Sequence, residues 1–167
     1  MTLEEAIKTA LKYEKRIRDL YQEAADSADD PVGKQVFGLL AGEEQNHVDY
    51  LETRLARWEK TGHLQLDSLE QALPSADAIR ENMGMLQTRM DREDRKDEKQ
   101  MLSKALNVEV ETSDFYKRMV DELSNEGREL FARFLQIENE HIQIVQAELD
   151  YLSHTGYWFN IKEFDME

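Results

Sequence analysis

Four glutamates and two histidines recur in this sequence at spacings that suit a shared metal site. Two of the glutamates each begin a Glu-x-x-His motif. Because residues three apart project from one face of a helix, the carboxylate and imidazole of each motif can bind one ion. Carboxylate and imidazole ligands without cysteine suit iron, manganese or zinc, and oxygen-rich ligation favours iron or manganese. The six candidate ligands are Glu14, Glu44, His47, Glu109, Glu138 and His141.

An internal repeat relates the two halves of the chain. Glu14 corresponds to Glu109 and Tyr21 to Tyr116 at an offset of 95 residues. Beyond the following turn the offset becomes 94, and the two Glu-x-x-His motifs then correspond to each other. A residue is easily lost in a turn. The repeat predicts that each half is a helical hairpin.

Apolar residues at steps of three and four predict long helices, with Asp30-Pro31 as a helix start and Gly62 as a stop. We expect one domain over 1–167, with a short helix from residue 75 or 77 to about 90 inside the crossover. Hairpin 1 is predicted over about 3–61, with helices over 3–27 and 31–61, and a crossover follows over 62–93. Hairpin 2 is predicted over about 94–153, with one helix over 94–124 and a second from the break at 124–127 to 153. An aromatic tail covers 154–167. Two hairpins with a long crossover form an antiparallel four-helix bundle, so we expect an all-α fold.

The hairpin geometry brings the candidate ligands to one level. Residues 14 and 44 are equidistant from residue 29, which lies in the predicted break before Pro31. Residues 109 and 138 are equidistant from the break near Ser124. Each pair therefore lies about 15 residues, or roughly 22 Å, from its turn. Four carboxylates inside a bundle need compensation, and two divalent cations would balance their charge.

Composition excludes several other classes of function. The 167 residues include 21 Lys and Arg against 36 Asp and Glu, giving a net charge of −15, and no Cys. A chain without Cys has no disulfide framework, thiol nucleophile or cysteine-ligated metal. The acidic balance argues against nucleic acid and anionic membranes as partners. Neither a signal peptide nor a membrane-spanning segment is visible, so we expect a cytoplasmic protein.

The motifs Glu14-x6-Tyr21, Glu44-x-x-His47 and their repeats resemble the ferritin-like di-iron carboxylate superfamily, over about residues 3–153. The chain is most similar to rubrerythrin-type proteins that lack the rubredoxin domain. The resemblance implies two metal ions per chain, with iron expected and manganese or zinc as alternatives. It also implies that Glu44 and Glu138 bridge the ions, that Glu14 and Glu109 are terminal ligands or bridges, and that the two histidines are terminal ligands. Rubrerythrins typically carry a further Glu one turn after the third-helix ligand, whereas this chain has Thr112.

The resemblance implies a redox protein that reduces hydrogen peroxide or dioxygen with electrons from a separate donor protein. The alternatives are a ferroxidase of the iron-storage kind and a metal-free helical interaction module. We expect a homodimer or a larger homo-oligomer.

Several residues outside the ligand set are open to two interpretations. Tyr21 and Tyr116 lie two helical turns beyond their glutamates, so we expect core aromatics, with a hydrogen bond to a ligand or a radical relay as the alternative. The repeated Asp19 and Asp114 either orient a ligand histidine or lie on the surface. His63 and His154 are expected to be surface residues.

Overall fold

The computed structural model describes residues 1–73, 78 and 96–155. Within those ranges it contains helices and no strand, which confirms the all-α, ferritin-like four-helix bundle. The predicted helix of about 75–90 and the tail from residue 156 onwards lie outside these ranges. The elements are α1 (Leu3–Ser27), α2 (Pro31–Thr61), a 3-10 turn (Leu66–Ser68), the short α3 (Leu69–Ala72), α4 (Lys96–Glu122) and α5 (Asn125–Thr155).

Local side-chain chemistry sets the ends of the first hairpin's helices. Thr2 and Glu5 form a reciprocal capping box at the start of α1, with N···O distances of 3.2 and 2.9 Å. Asp30 caps α2 by accepting the backbone N–H of Val32 at 2.8 Å. Gly62 ends α2 in the left-handed conformation at φ 77°, which glycine adopts without steric cost.

The second hairpin differs slightly from its predicted limits. A break at residues 123 and 124 separates α4 from α5, and Asn125 follows at φ 56°, a conformation that asparagine tolerates better than most residues. Helix α5 continues to Thr155, two residues past the predicted end. Leu152 is fully buried, and its packing holds this last turn against the bundle.

The core consists of two clusters on either side of the level of Glu14. α1 packs against α2 and α4, and α4 packs against α5. Toward the α1–α2 turn lies an aliphatic cluster, represented by Ile17, Val36, Leu40, Leu102, Val108, Ile144 and Val145. Toward the α4–α5 turn lies a second cluster, which contains aliphatic side chains and several rings and is called the aromatic cluster below; its rings include Tyr13, Tyr50, Phe115, Tyr116, Phe131 and Phe134.

The first part of the crossover forms hydrogen bonds with both hairpins. The Arg54 guanidinium donates to the carbonyls of Leu64 and Gln65 at 3.0 and 2.6 Å, and the Leu64 N–H donates to Glu126 at 3.2 Å. Leu64 is fully buried as a result. No helix in the described ranges is long and apolar enough to cross a lipid bilayer.

Candidate metal centre

All six predicted ligands meet inside the bundle, between the two core clusters. Each has a relative exposure of 0%. Helices α1 and α4 each contribute one carboxylate, while α2 and α5 each contribute a Glu-x-x-His pair. The six residues therefore meet at one level of the bundle, as the positions of the hairpin turns predicted.

The six side chains form two overlapping groups of possible ligands. In each group the candidate ligand atoms lie within 4.8 Å of one another. Glu44 and Glu138 belong to both groups, so they occupy positions from which a carboxylate could bridge two ions. The first group is Glu14, Glu44, His47 and Glu138, and the second is Glu44, Glu109, Glu138 and His141.

Both imidazoles present Nδ1 to the carboxylates. His47 Nδ1 lies 3.3 Å from Glu44 Oε2 and 3.4 Å from Glu14 Oε2, and His141 Nδ1 lies 3.2 Å from Glu44 Oε1. The two rings stack with their centroids 5.4 Å apart and their planes inclined by 19°. Nδ1 is therefore the nitrogen of each histidine that faces the other candidate ligand atoms.

Several ligand oxygens of the cluster lack a hydrogen-bond donor in the part of the chain that the structure describes, so the site suits bound cations. Among the described residues, Glu109 Oε2 and both carboxylate oxygens of Glu138 are buried and accept no hydrogen bond. Buried carboxylate oxygens without partners are costly, and positive charge is their usual compensation. Oxygen atoms and two imidazoles in overlapping groups suit a pair of borderline or hard divalent metals.

The shifted pKa values of these groups also indicate a site that would take up positive charge. Burial raises the pKa of Glu44 and Glu138 well above the carboxyl range, and repulsion from the other carboxylates adds to this effect. Burial would also raise the pKa of Glu14, but hydrogen bonding to Glu44 and the charge of His47 bring it to about 2. Burial lowers the pKa of His47, but the charges of Glu44 and Glu14 outweigh that effect and raise the pKa well above its usual value. Burial lowers the pKa of His141 to about 3. Protons therefore neutralise part of the cluster, and bound metal would displace them.

Tyr21 and Tyr116 are buried core aromatics that also hydrogen-bond to the cluster. Each reaches across to the glutamate of the other half: Tyr21 Oη donates to Glu109 Oε1 at 2.7 Å, and Tyr116 Oη donates to Glu14 Oε1 at 2.5 Å. Burial raises the pKa of both phenols well above the usual value, and nearby carboxylates raise it further. Both phenols therefore remain protonated donors that hold Glu14 and Glu109 in place.

The remaining predicted residues lie outside the cluster. Asp19 is exposed and binds the guanidinium of Arg18, and Asp114 is also exposed, so their surface interpretation holds. His63 and His154 are exposed as predicted. Thr112 is buried, and its hydroxyl donates to the Val108 carbonyl at 2.7 Å, so no seventh carboxylate occupies that position.

Sequence reasoning did not single out Phe134, whose ring packs against the site. Phe134 packs edge-on against His47, with centroids 5.6 Å apart and an interplanar angle of 74°. It lies one turn before Glu138 on the same helix face, and that spacing is the signal that could have identified it.

The fold and this cluster define a ferritin-like protein with a site compatible with a di-iron carboxylate centre. The chain matches the family model for rubrerythrin over residues 5–149 and belongs to that family. No curated protein matches it, and neither does any solved structure.

Proposed function

We propose that this chain is a di-iron redox protein that reduces hydrogen peroxide with electrons from a separate donor protein. The observation that carries the proposal is the pair of overlapping ligand groups that share Glu44 and Glu138 and lie fully buried among apolar side chains. Iron, when bound, would supply the electrons that peroxide takes up.

The protein's own residues supply position, charge and dryness. Four carboxylates balance two divalent cations, and the two histidines leave the site neutral overall at that charge state. Tyr21 and Tyr116 fix the outer carboxylates by donating hydrogen bonds from opposite sides. Because the cluster is closed to bulk water, a small oxidant is favoured over a large substrate.

Reduction of hydrogen peroxide to two waters consumes two electrons and two protons. The chain contains no Cys and hence no rubredoxin-type iron site, so the electrons are expected from a separate protein. The homo-oligomeric state and the cytoplasmic location stay predictions, and light scattering of the purified protein measures the first.

Metal analysis combined with rapid oxidation kinetics tests the proposal. The protein reconstituted anaerobically with Fe²⁺ should hold about two ions per chain, as in other ferritin-like carboxylate sites. Glu44→Ala and His141→Ala should lose metal, whereas the half-buried neighbour Glu43, replaced by Ala, should leave the metal content unchanged. The reduced protein should be oxidised faster by hydrogen peroxide than by dioxygen.

Other outcomes would replace the proposal. Metal content that is indifferent to both ligand substitutions would exclude the site and favour the metal-free interaction module. Preferential oxidation by dioxygen, with many irons accumulating per chain in a large assembly, would favour the ferroxidase and storage function.

A further inference from the structure

Tyr21 and Tyr116 hold equivalent positions in the repeat and make equivalent hydrogen bonds, but their rings have different neighbours. Tyr116 packs against three phenylalanine rings at centroid distances of 5.6, 5.7 and 5.9 Å. Tyr21 lies within the aliphatic cluster, and it contacts no other ring in the described part of the chain. Among the described residues, Tyr116 is therefore the one of these two tyrosines that forms ring pairs with further aromatic side chains.

The ring contacts of Tyr116 continue to the protein surface. Its ring centroid lies 5.9 Å from that of Phe115, and the Phe115 centroid lies 5.3 Å from that of Tyr13. Tyr116 and Phe115 are buried, whereas Tyr13 is partly exposed on α1. A continuous series of three rings thus leads from the hydrogen-bond partner of Glu14 to solvent.

The first half of the repeat lacks this series. At the same offset of 95 residues, Leu20 occupies the position of Phe115, and Tyr13 itself corresponds to Val108. Neither aliphatic side chain offers an oxidisable ring. The described residues therefore contain an internal control: two tyrosines donate equivalent hydrogen bonds to candidate ligands, and ring pairs connect one of them, Tyr116, to the surface.

We propose that Tyr116, Phe115 and Tyr13 form a one-electron relay that protects the metal site when it can supply only one of the two electrons that peroxide requires. The relay provides the missing electron and moves the oxidising equivalent to Tyr13, where a soluble reductant can quench it. Tyr21 serves only to hold Glu109. This inference rests on the proposed reaction with hydrogen peroxide.

The electrons and protons of the relay balance. One Fe²⁺, one hydrogen peroxide, one tyrosine and one proton give Fe³⁺, two waters and a neutral tyrosyl radical, so no hydroxyl radical is released. The phenolic proton of Tyr116 moves along its hydrogen bond to Glu14 and returns when Tyr13 re-reduces the ring. An electron crosses Phe115 without oxidising it, because a phenyl ring is much harder to oxidise than a phenol. Tyr13 releases its proton to water and recovers it with an electron from the reductant.

Freeze-quench electron paramagnetic resonance tests the relay. The full-length protein is loaded anaerobically with one Fe²⁺ per chain and mixed with one equivalent of hydrogen peroxide, while absorbance follows Fe³⁺ formation. Wild type and Tyr21→Phe should both give a tyrosyl radical. Tyr116→Phe should reduce its yield about tenfold or more at an unchanged amount of Fe³⁺. A radical that survives Tyr116→Phe, or that Tyr21→Phe removes equally, would overturn the relay.

Two further variants keep the test decisive if Tyr116→Phe loads metal poorly. Phe115→Leu, which introduces the residue found in the first half, should prolong the radical about tenfold in the presence of ascorbate, with Leu20→Phe as the matched control. Tyr13→Phe should have the same effect, because it removes the surface end of the relay. Equal radical lifetimes in all these proteins would contradict the proposal, whereas failure to form Fe³⁺ in wild type would contradict the peroxide reaction itself.

Discussion

The aliphatic and aromatic clusters occupy equivalent places in the repeat, yet they are built from different residues. Phe37 and Phe131 correspond, as do Tyr21 and Tyr116, so part of the packing is shared. At other positions an aliphatic residue of the first cluster corresponds to a ring in the second. The pairs are Val108 and Tyr13, Leu20 and Phe115, Leu40 and Phe134, and Ile144 and Tyr50.

This difference separates two tasks within one bundle. Ligands related by the repeat can provide two equivalent positions for ions, and the six candidate ligands follow the repeat without exception. The proposed relay needs a route on one side only, and its three rings, Tyr13, Phe115 and Tyr116, lie in the aromatic cluster. The residues that follow the repeat therefore form the candidate centre, and the proposed relay uses residues that depart from it.

The largest expected effect concerns the packing of the two clusters. Phe134→Ala should lower the free energy of unfolding of the metal-free protein by about 4 kcal/mol and Leu40→Ala by about 3, because a buried ring leaves the larger cavity. Urea unfolding followed by circular dichroism measures both. A smaller loss for Phe134 would show that the aromatic cluster can collapse around the gap and is not the more tightly packed end.

Metal binding should stabilise both halves together. At a free metal concentration about one hundred times Kd, the gain is about 2.7 kcal/mol, which raises Tm by roughly 5–10 °C for a chain of this size. Glu44→Ala and Glu138→Ala should abolish this rise equally, because each residue belongs to both ligand groups. Differential scanning calorimetry with and without metal measures it. An unequal response would break the equivalence of the two hairpins.

The two tyrosines should differ in redox behaviour but not in stability. Tyr21→Phe and Tyr116→Phe should each cost about 2 kcal/mol, since each removes one hydrogen bond to a buried carboxylate. Chemical denaturation of the metal-free variants provides the comparison. Losses that differ by more than about 1 kcal/mol would mean that ring packing, and not only the hydrogen bond, distinguishes the two sites.

The smallest effect is expected at the repeated surface aspartates. Asp19→Asn and Asp114→Asn should leave metal content unchanged and alter stability by less than about 0.5 kcal/mol, because both side chains are exposed. Elemental analysis and thermal melts check this. A loss of metal in either variant would instead assign that aspartate an orienting role toward a ligand histidine.

Much of the site could be predicted because, in a helical hairpin, the number of residues from the turn sets a residue's position along the bundle axis. Glu14 and Glu44 meet because their common turn lies midway between them, and the caps at Asp30 and Gly62 fix that turn and the length of α2. For Tyr21 and Tyr116 the sequence left two interpretations open, a core aromatic or a residue that hydrogen-bonds to a ligand. Their partners lie on another hairpin, so the choice depends on how α1 packs against α4.

The amino-acid sequence by itself determined the helices, the repeat and the six candidate ligands, since each follows from periodicity, capping and distance along the chain. The tertiary structure decided which groups meet across the interface between the hairpins. It placed Glu44 and Glu138 in both ligand groups, and it paired each tyrosine with the glutamate of the opposite half. It also brought Tyr13, Phe115 and Tyr116 into one series of rings. Except for the neighbours Phe115 and Tyr116, these contacts join residues about a hundred positions apart, so packing between the helices sets them and local spacing does not.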